Sequence, residues 1–391
     1  MDNTKRNSKV PVLRFPGFEK EWEEKSFGEL YEKHNVKNDL SFGVDKIISV
    51  ANMYYKEDAN VGNEEYLRSY NVFRLGDIAY EGNKSANFAY GRFVENTIGD
   101  GIVSHVFDVY SPISPDHCLD YWKYAINYER IMRPILEKST IKSTMMTNLI
   151  AKDFLKQSIL VPSLTEQKRI ADCLSAIDEL ISVQDQKVEC LKSQKQGLLQ
   201  QLFPQNNETV PRLRFPGFSR EWEKLEIGQL CSVNRGVRVT RKDLDGDGQY
   251  PVFQNTNSPM GYYHSYNVNA NNPFVIIGGS AGSMGFCKTA FWAADDCVFF
   301  GDNESIDKYF LFLTLLVHEL EVKSNVRGGN IPRIDRKALE RISISIPSVK
   351  EQKKIASCLS VFDEAILAET DKLNALKVHK KGLMQQLFPN Q

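Results

Sequence analysis

No apolar run in this 391-residue chain approaches the ~18 residues of a membrane-spanning helix, so no such span is expected. Residues 1–9 are polar, unlike a secretory signal. The seven cysteines are odd in number and lack CxxC or Cys/His spacing. That excludes a disulfide framework and a zinc site, and points to reduced thiols in a cytosolic protein. His34, His105, His117, His264, His318 and His379 show no metal spacing, and no nucleophile elbow occurs. A formal charge of −1 lacks the basic excess usual for proteins that neutralise many phosphates. Nucleic-acid binding would therefore need local arrays or a basic partner.

Three stretches imitate chemical motifs and fall short. Asp243, Asp245, Asp247 and Gly248 begin like a calcium loop, but Gln254 stands where its bidentate acid belongs and Pro251 at the ninth position. A polar turn is expected there. Residues 278–285 form a Gly/Ser loop after a strand, yet Cys287 precedes Lys288-Thr289 where a P-loop has glycine, and no βαβ unit follows. That loop reads equally as a structural turn or as a grip on a phosphate through free backbone N–H groups. Asn271-Asn272-Pro273-Phe274 is close to an adenine methyltransferase motif, but Asn272 replaces its first proline and no cofactor motif accompanies it. No active site emerges, and a binding protein is expected.

What the chain does have is a repeat. Ile170, Leu174, Ile177, Ile181, Gln184, Val188, Leu191, Lys195, Leu198 and Leu202 alternate steps of four and three, the a/d seam of a coiled coil. Ile355, Leu359, Phe362, Ile366, Glu369, Leu373, Leu376, Lys380, Leu383 and Leu387 copy them at an offset of 185, polar interruptions included. Each stretch, 166–203 and 351–388, predicts a helix of ~57 Å at ~1.5 Å per residue. A lone seam cannot bury itself, so the two helices should pack on each other, and their shared polar positions should specify the register. Thr165 is a plausible N-cap for the first. Cys173 and Cys358, matched in the repeat, read as small core-facing side chains.

A second repeated piece, VPVLRFPGFEKEWEEKSFGEL from Val10, has a near copy, VPRLRFPGFSREWEKLEIGQL, from Val210 at an offset of 200. Constant arms and helices thus bracket two variable segments that look unrelated, the second 15 residues shorter. In the first, strands are expected at 47–50, 72–80 (with Gly76-Asp77 a turn) and 103–110. A helix is expected at 119–138, and polar loops at 81–90 and 139–148. In the second, strands are expected at 250–253, 273–277 and 342–346, a helix at 309–320, and a loop at 325–333 in the place of the first segment's 139–148.

The loops carry side chains suited to base edges and phosphates. They are Asn83, Lys84 and Asn87, then Lys142, Ser143 and Thr144, then Gln254, Asn255 and Asn257, and Asn325, Arg327 and Asn330. Asn and Gln suit adenine, Arg and Lys guanine. Arg235, Arg238, Arg241 and Lys242 form a basic stretch, and Ser280 and Ser283 lie in the Gly/Ser loop.

The two LRFPGF…EW arms, the Pro162-x-x-x-Glu166-Gln167-x-x-Ile170-Ala171 helix start with its copy from Pro347, and the QQLFP helix ends resemble the specificity subunit of type I restriction-modification systems. Gly76-Asp77-Ile78-Ala79 and residues 276–285 are similar to strand–loop elements of its target recognition domains. The resemblance covers essentially the whole chain. It implies an α+β fold with two globular α/β-mixed target recognition domains, 1–161 and 206–346. An antiparallel coiled coil of two long helices, 162–205 and 347–391, would join them in a pseudo-two-fold cyclic repeat. It also implies a non-catalytic, cytoplasmic, nucleoid-associated prokaryotic subunit that reads a bipartite site in double-stranded DNA. Two methyltransferase subunits carrying S-adenosylmethionine, and restriction/translocase subunits using ATP and Mg, would dock on it, and no membrane would be involved. This chain itself would bind no cofactor and no metal. The alternative from another class is a coiled-coil adaptor that binds proteins and no DNA, which the near-neutral charge would suit.

Overall fold

The computed structural model describes residues 9–57, 63–142, 146–205, 208–328 and 332–389. The chain divides into two compact units, Met1–Val183 with Leu373–Gln391, and Gln184–Lys372. Each unit therefore takes half of each long helix, Leu164–Leu202 and Val349–Leu387. Among the described residues, no helix is long and apolar enough to cross a membrane.

The heptad pattern dictates the helices, and the burial follows it. Along each seam the same positions are buried (Ile170, Leu174, Val188 and Leu202; Ile355, Leu359, Leu373 and Leu387), and the rest are half-buried. Two helices alone cannot wrap a seam on all sides. Ile170, Leu174, Leu202, Ile355, Leu359 and Leu387 are buried in cores shared with other elements, Val188 and Leu373 are buried outside those cores, and Leu198 and Leu383 pack against the cores and stay half-buried. Within the first unit, Ile170 and Leu174 share a core with Leu387 and Phe388. Within the second, Leu202 shares one with Ile355 and Leu359. In both, the start of one helix meets the end of the other, which makes the pairing antiparallel. The first helix begins at Leu164, with Thr165 inside it. Ser163 stands before it and its Oγ accepts from Glu166 N at 3.4 Å. Cys173 and Cys358 are half-buried.

Of the polar seam residues, Gln184 and Glu369 bond to each other, and the two lysines bond to aspartates beside the seam. Gln184 Nε2 donates to Glu369 O at 2.9 Å and to Oε2 at 2.7 Å. Together with Lys372 and Lys187, that amide holds the Glu369 carboxyl well below the usual range, at about 2. Lys195 Nζ meets Asp363 Oδ1 at 2.5 Å, and Lys380 Nζ meets Asp178 Oδ1 at 2.6 Å. Each misaligned pairing would strand these groups, so they select the register.

The arms staple the helix ends. In the first unit Leu13 N donates to Gln386 O at 2.9 Å, and Trp22 packs edge-on to Phe388. Arg14 grips the buried Glu166 with two hydrogen bonds of 2.8 Å. In the second unit Leu213 N donates to Gln201 O at 2.9 Å, Trp222 packs on Phe203, and Arg214 grips Glu351 at 2.7 and 2.9 Å. A planar guanidinium matches a carboxylate bidentately, which fixes the angle of the arm as well as its attachment.

The arm leads into an antiparallel ladder that brings each variable segment back to the scaffold. Glu23–Ser26 pairs with Ser158–Val161, and Glu223–Glu226 with Ser343–Ile346. Between them the first unit builds a four-stranded antiparallel sheet in the order Tyr31–His34, Val109–Pro112, Ile78–Glu81, Arg92–Glu95. The second builds one in the order Val233–Arg235, Cys297–Phe300, Asn272–Ile276, Met284–Cys287. The strand order by position in the chain is the same in both. Segments that look unrelated as sequences thus share a topology, because the ladder is made by backbone groups that every sequence carries.

Several expected boundaries change. The strand expected over 103–110 is two strands, Gly101–Val103 and Val109–Pro112, separated by a turn in which Phe107 N donates to Ser104 O. The helix over 119–138 breaks into Leu119–Ala125 and Glu129–Ser139, because Tyr128 is extended at the second helix's N-cap. The helix over 309–320 breaks at His318 into Lys308–Val317 and Glu319–Ser324. The loops 139–148 and 325–333 are hairpins, Thr140–Lys142 with Thr147–Leu149 and Val326–Arg327 with Arg333–Ile334. Their polar sequence hid the pairing of backbone groups.

Candidate nucleic-acid interface

In the first unit the sheet aims two expected loops at one place. Residues 82–91 join Ile78–Glu81 to Arg92–Glu95 and run beside the Thr140–Leu149 hairpin. Thr147 N donates to Gly82 O at 2.8 Å, and Asn83 forms an antiparallel bridge with Met146. Tyr80 Oη donates to Tyr90 O at 2.7 Å and touches Thr147 Oγ1 at 2.5 Å, tying the base of the loop to the hairpin. A Cβ on Gly82 would lie 2.2 Å from Thr147 O, so only glycine permits this approach. Asn83, Lys84 and Asn87 stand exposed on the loop. Lys142 lies in the hairpin strand, and Ser143 and Thr144 fall outside the described residues.

The second unit reaches a similar result by other contacts. Ser280 N donates to Asn255 O at 2.9 Å, Gly278 bridges Arg333, and Ile334 N donates to Ile277 O at 2.9 Å. The amide-rich loop, the Gly/Ser loop and the last hairpin therefore form one cluster. Gly279 turns at φ +85° against Asn255, a conformation and a clearance that side chains resist. Asn255, Asn257, Ser280 and Arg327 are exposed, and Gln254 and Ser283 half-buried. Asn330 falls outside the described residues.

The Gly/Ser loop is the turn of the hairpin Asn272–Ile276/Met284–Cys287, and no helix follows it. It therefore lacks the helix N-terminus that gives phosphate-binding loops their aligned N–H groups. Asp243 Oδ2 caps Thr240, accepting from its N at 2.8 Å and its Oγ1 at 2.6 Å, so this aspartate serves a turn. Asn272 is buried in a strand, donating to Phe300 O at 3.0 Å. Among the described residues, no group of three or more His, Cys, Asp or Glu could hold a metal.

Arg235 reaches this face from the edge strand and donates to Asp295 O at 2.6 Å. It lines a cleft of about 370 Å³ with Ile277, Arg333, Ile334, Asp335 and Arg336. Arg333 lies 3.5 Å from Asp296, and Arg336 meets Glu340 at 3.3 Å, so both guanidiniums are held yet half-exposed. Arg333 and Arg336 were not among the expected contacts; the ladder opposite Arg327 brings Arg333 to the cleft, and Arg336 reaches it from the start of the helix Arg336–Glu340. Arg241 and Lys242 lie in the turn Arg241–Asp243, which leads to a three-stranded sheet of Gly261–Tyr263, Tyr250–Phe253 and Trp292–Ala293, with Arg238 shortly before it. All three are exposed.

Beneath the first unit's sheet, Glu95 Oε1 and His117 Nε2 meet at 2.7 Å, packed with Tyr31 and Trp122. Burial pushes Glu95 up to about 9 and His117 down to about 4, so near neutrality both are uncharged. The pair is an internal support for the sheet rather than part of an exposed cluster.

The family described as type I restriction modification DNA specificity domain matches residues 19–193 and again 219–378. The MjaVIII type I restriction enzyme specificity subunit of Methanocaldococcus jannaschii is 28% identical over 203 residues, 49% of this chain and 47% of that one. The putative MjaX specificity subunit of the same organism is 22% identical over 288 residues, 70% of this chain and 66% of that one. The chain thus matches between about half and two thirds of the length of these relatives. Its fold is similar to the crystal structure of a type I restriction-modification S subunit from M. genitalium, with a TM-score of 0.66 at 15% identity over 98% of this chain and 100% of that one. A chain from a structure concerned with complex assembly and conformational transition of the type I system gives 0.55 at 15% identity, covering 97% and 99%. Two copies of one domain model, matched to two units with the same arm, ladder, sheet order and helix pairing, place this chain in the type I restriction-modification DNA specificity family, among its specificity subunits.

Proposed function

We propose that this chain reads a bipartite site in double-stranded DNA, each unit's loop cluster contacting one half-site, and that it performs no chemistry itself. The observation that carries this reading is the convergence of amide, hydroxyl and basic side chains on loops of divergent sequence, mounted on sheets of one topology. Divergent loops on a repeated support are what two different base sequences require. The proposed contacts are Asn83, Lys84, Asn87, Lys142, Ser143 and Thr144 for one half-site. For the other they are Arg235, Gln254, Asn255, Asn257, Ser280, Ser283, Arg327 and Asn330, with Arg238, Arg241 and Lys242 toward the backbone.

The paired helices space the two readers and offer the docking face for two methyltransferase subunits and for restriction/translocase subunits. S-adenosylmethionine would be held by the former, and ATP with Mg by the latter. This assembly would work on chromosomal DNA in a prokaryotic cytoplasm. Genome-wide mapping of N6-methyladenine in cells with and without this chain tests the reading. A split motif that disappears with the chain is the expected outcome, and an unchanged methylome would overturn it. A gel shift across salt concentrations distinguishes the adaptor alternative, since phosphate contacts impose a steep salt slope.

A further inference from the structure

The matched pair of seam lysines belongs to a larger constellation. In the first unit Tyr124 Oη donates to Asp178 Oδ2 at 2.7 Å while Lys380 Nζ binds Oδ1 of the same carboxylate at 2.6 Å. In the second, Tyr309 Oη donates to Asp363 Oδ2 and Lys195 Nζ binds its Oδ1 at 2.5 Å. Tyr124 and Tyr309 are the same 185 residues apart as the two aspartates and the two lysines, although both tyrosines lie inside the variable segments. Each constellation joins three elements. The tyrosine comes from the reader's helix (Leu119–Ala125 or Lys308–Val317), the aspartate from one long helix and the lysine from the other. Lys380 also lies over the Tyr124 ring, 5.1 Å from its centroid.

The chemistry suits a lock rather than a site. Each carboxylate is divided between two donors, and each donor stands on a different element, so rotation of the reader's helix on the coil must break a charge-assisted bond. Burial above all holds both phenols protonated, outweighing the opposing Ser175 hydroxyl at Tyr124 and helped at each by the neighbouring carboxylate, so they remain donors. The arm clamps Arg14–Glu166 and Arg214–Glu351 hold each unit at the helix ends. The Tyr–Asp–Lys groups hold it further along, and two separated attachments define an angle where one leaves it free.

We propose that Tyr124–Asp178–Lys380 and Tyr309–Asp363–Lys195 are positioning latches that fix each reader's angle on the coil, and thereby decide how strictly the distance between half-sites is counted. This rests on the reading of the chain as a bipartite DNA reader. The latches touch no base, so they act on spacing and leave the recognised half-sites alone.

The test is methylome mapping of cells carrying the assembled complex with Asp178→Asn, Asp363→Asn or both, and with the milder Tyr124→Phe and Tyr309→Phe, which keep the ring and remove only the hydroxyl. Unchanged half-sites are expected, with methylation of sites one base pair longer or shorter in spacer rising at least tenfold relative to the cognate spacer, most in the double variant. Lys380→Arg, which keeps the charge, should restore most of the strictness lost in Lys380→Ala. Uniform loss at all sites with the spacer distribution unchanged would mean that these residues only stabilise the fold, and would overturn the proposal. So would wild-type strictness in all the variants. A wild-type complex without any split motif would instead overturn the underlying reading, which separates the two failures.

Discussion

The scaffold and the readers of this chain repeat in different ways. The arms, ladders and helices recur contact for contact. Arg14–Glu166 answers Arg214–Glu351, Trp22–Phe388 answers Trp222–Phe203, and the seam is buried and half-buried at the same positions in both copies. The readers recur as a strand order, a closing hairpin and one tyrosine bonded to the coil, and differ in the rest. The first adds small two-stranded ladders, Ile48–Ser49 with Tyr54–Tyr55 and Asn71–Phe73 with Gly101–Val103, where the second adds a three-stranded sheet. Their clusters close through different bonds as well, Thr147 on Gly82 in one and Ser280 on Asn255 in the other. A seam and an ion pair tolerate few substitutions, because register and complementary charge are all-or-none. A sheet tolerates many, since its backbone supplies the ladder whatever the side chains.

Exchanging residues 231–341 for the matching segment of another family member should have the largest effect and cut along that division. One half-site in the methylome should be replaced outright and the other kept. A change in both, or loss of the first, would mean that the readers are not independent of each other.

Removing one partner of an arm clamp should be felt through the fold. Arg14→Ala and Arg214→Ala each leave a buried carboxylate, Glu166 or Glu351, without its cation, at a cost of about 3–5 kcal/mol by denaturant unfolding. If the clamps are equivalent the two costs should agree within about 0.5 kcal/mol. Unequal costs would show that matched contacts do not carry matched energies.

The pair Glu95–His117 has no buried carboxylate–histidine counterpart among the described residues of the second unit. Between roughly pH 4.5 and 6.5 its two shifts oppose. The unfolded chain loses the Glu95 proton that the fold keeps, and gains the His117 proton that the fold refuses. Above about 6.5 only Glu95 counts, so the first unit should lose about 1.4 kcal/mol per pH unit until the folded-state value of about 9 is reached. Hydrogen exchange from pH 6.5 to 9 should show weakening protection in the first unit's sheet, abolished by Glu95→Gln, and none of this slope in the second. An equal slope in both units would remove the assignment to this pair.

The smallest effect is expected at the second unit's cleft. Arg333→Ala should weaken DNA binding by the assembled complex about tenfold and lower the salt slope by about one, as for one lost phosphate contact. An unchanged slope with altered base preference would instead make Arg333 a base reader.

Much of the scaffold was legible because its information is local. Ile170 to Leu202 announce a helix and a seam by spacing alone, and the copy announces a partner. Even the polar interruptions proved informative, since Gln184 and Glu369 bond to each other. The candidate loops were legible as loops, through Asn83, Asn255 and Ser280, but not as clusters. Arg333 and Arg336 escaped because nothing in their neighbours marks them. Tyr124 and Tyr309 escaped because a single matched residue inside divergent sequence gives no pattern.

By itself the amino-acid sequence determined the two helices, their register, the arms that bind them, and the presence of two variable segments between constant ends. Periodicity and repetition are properties of the chain read in order, and a one-residue slip would move the whole seam. Only the tertiary structure decided that unrelated segments share a sheet order, which loops meet, and which tyrosine closes on which aspartate. Those outcomes depend on ladders and ion pairs between residues that lie from tens of positions to some two hundred apart. Their partners are chosen by where the folded scaffold carries them.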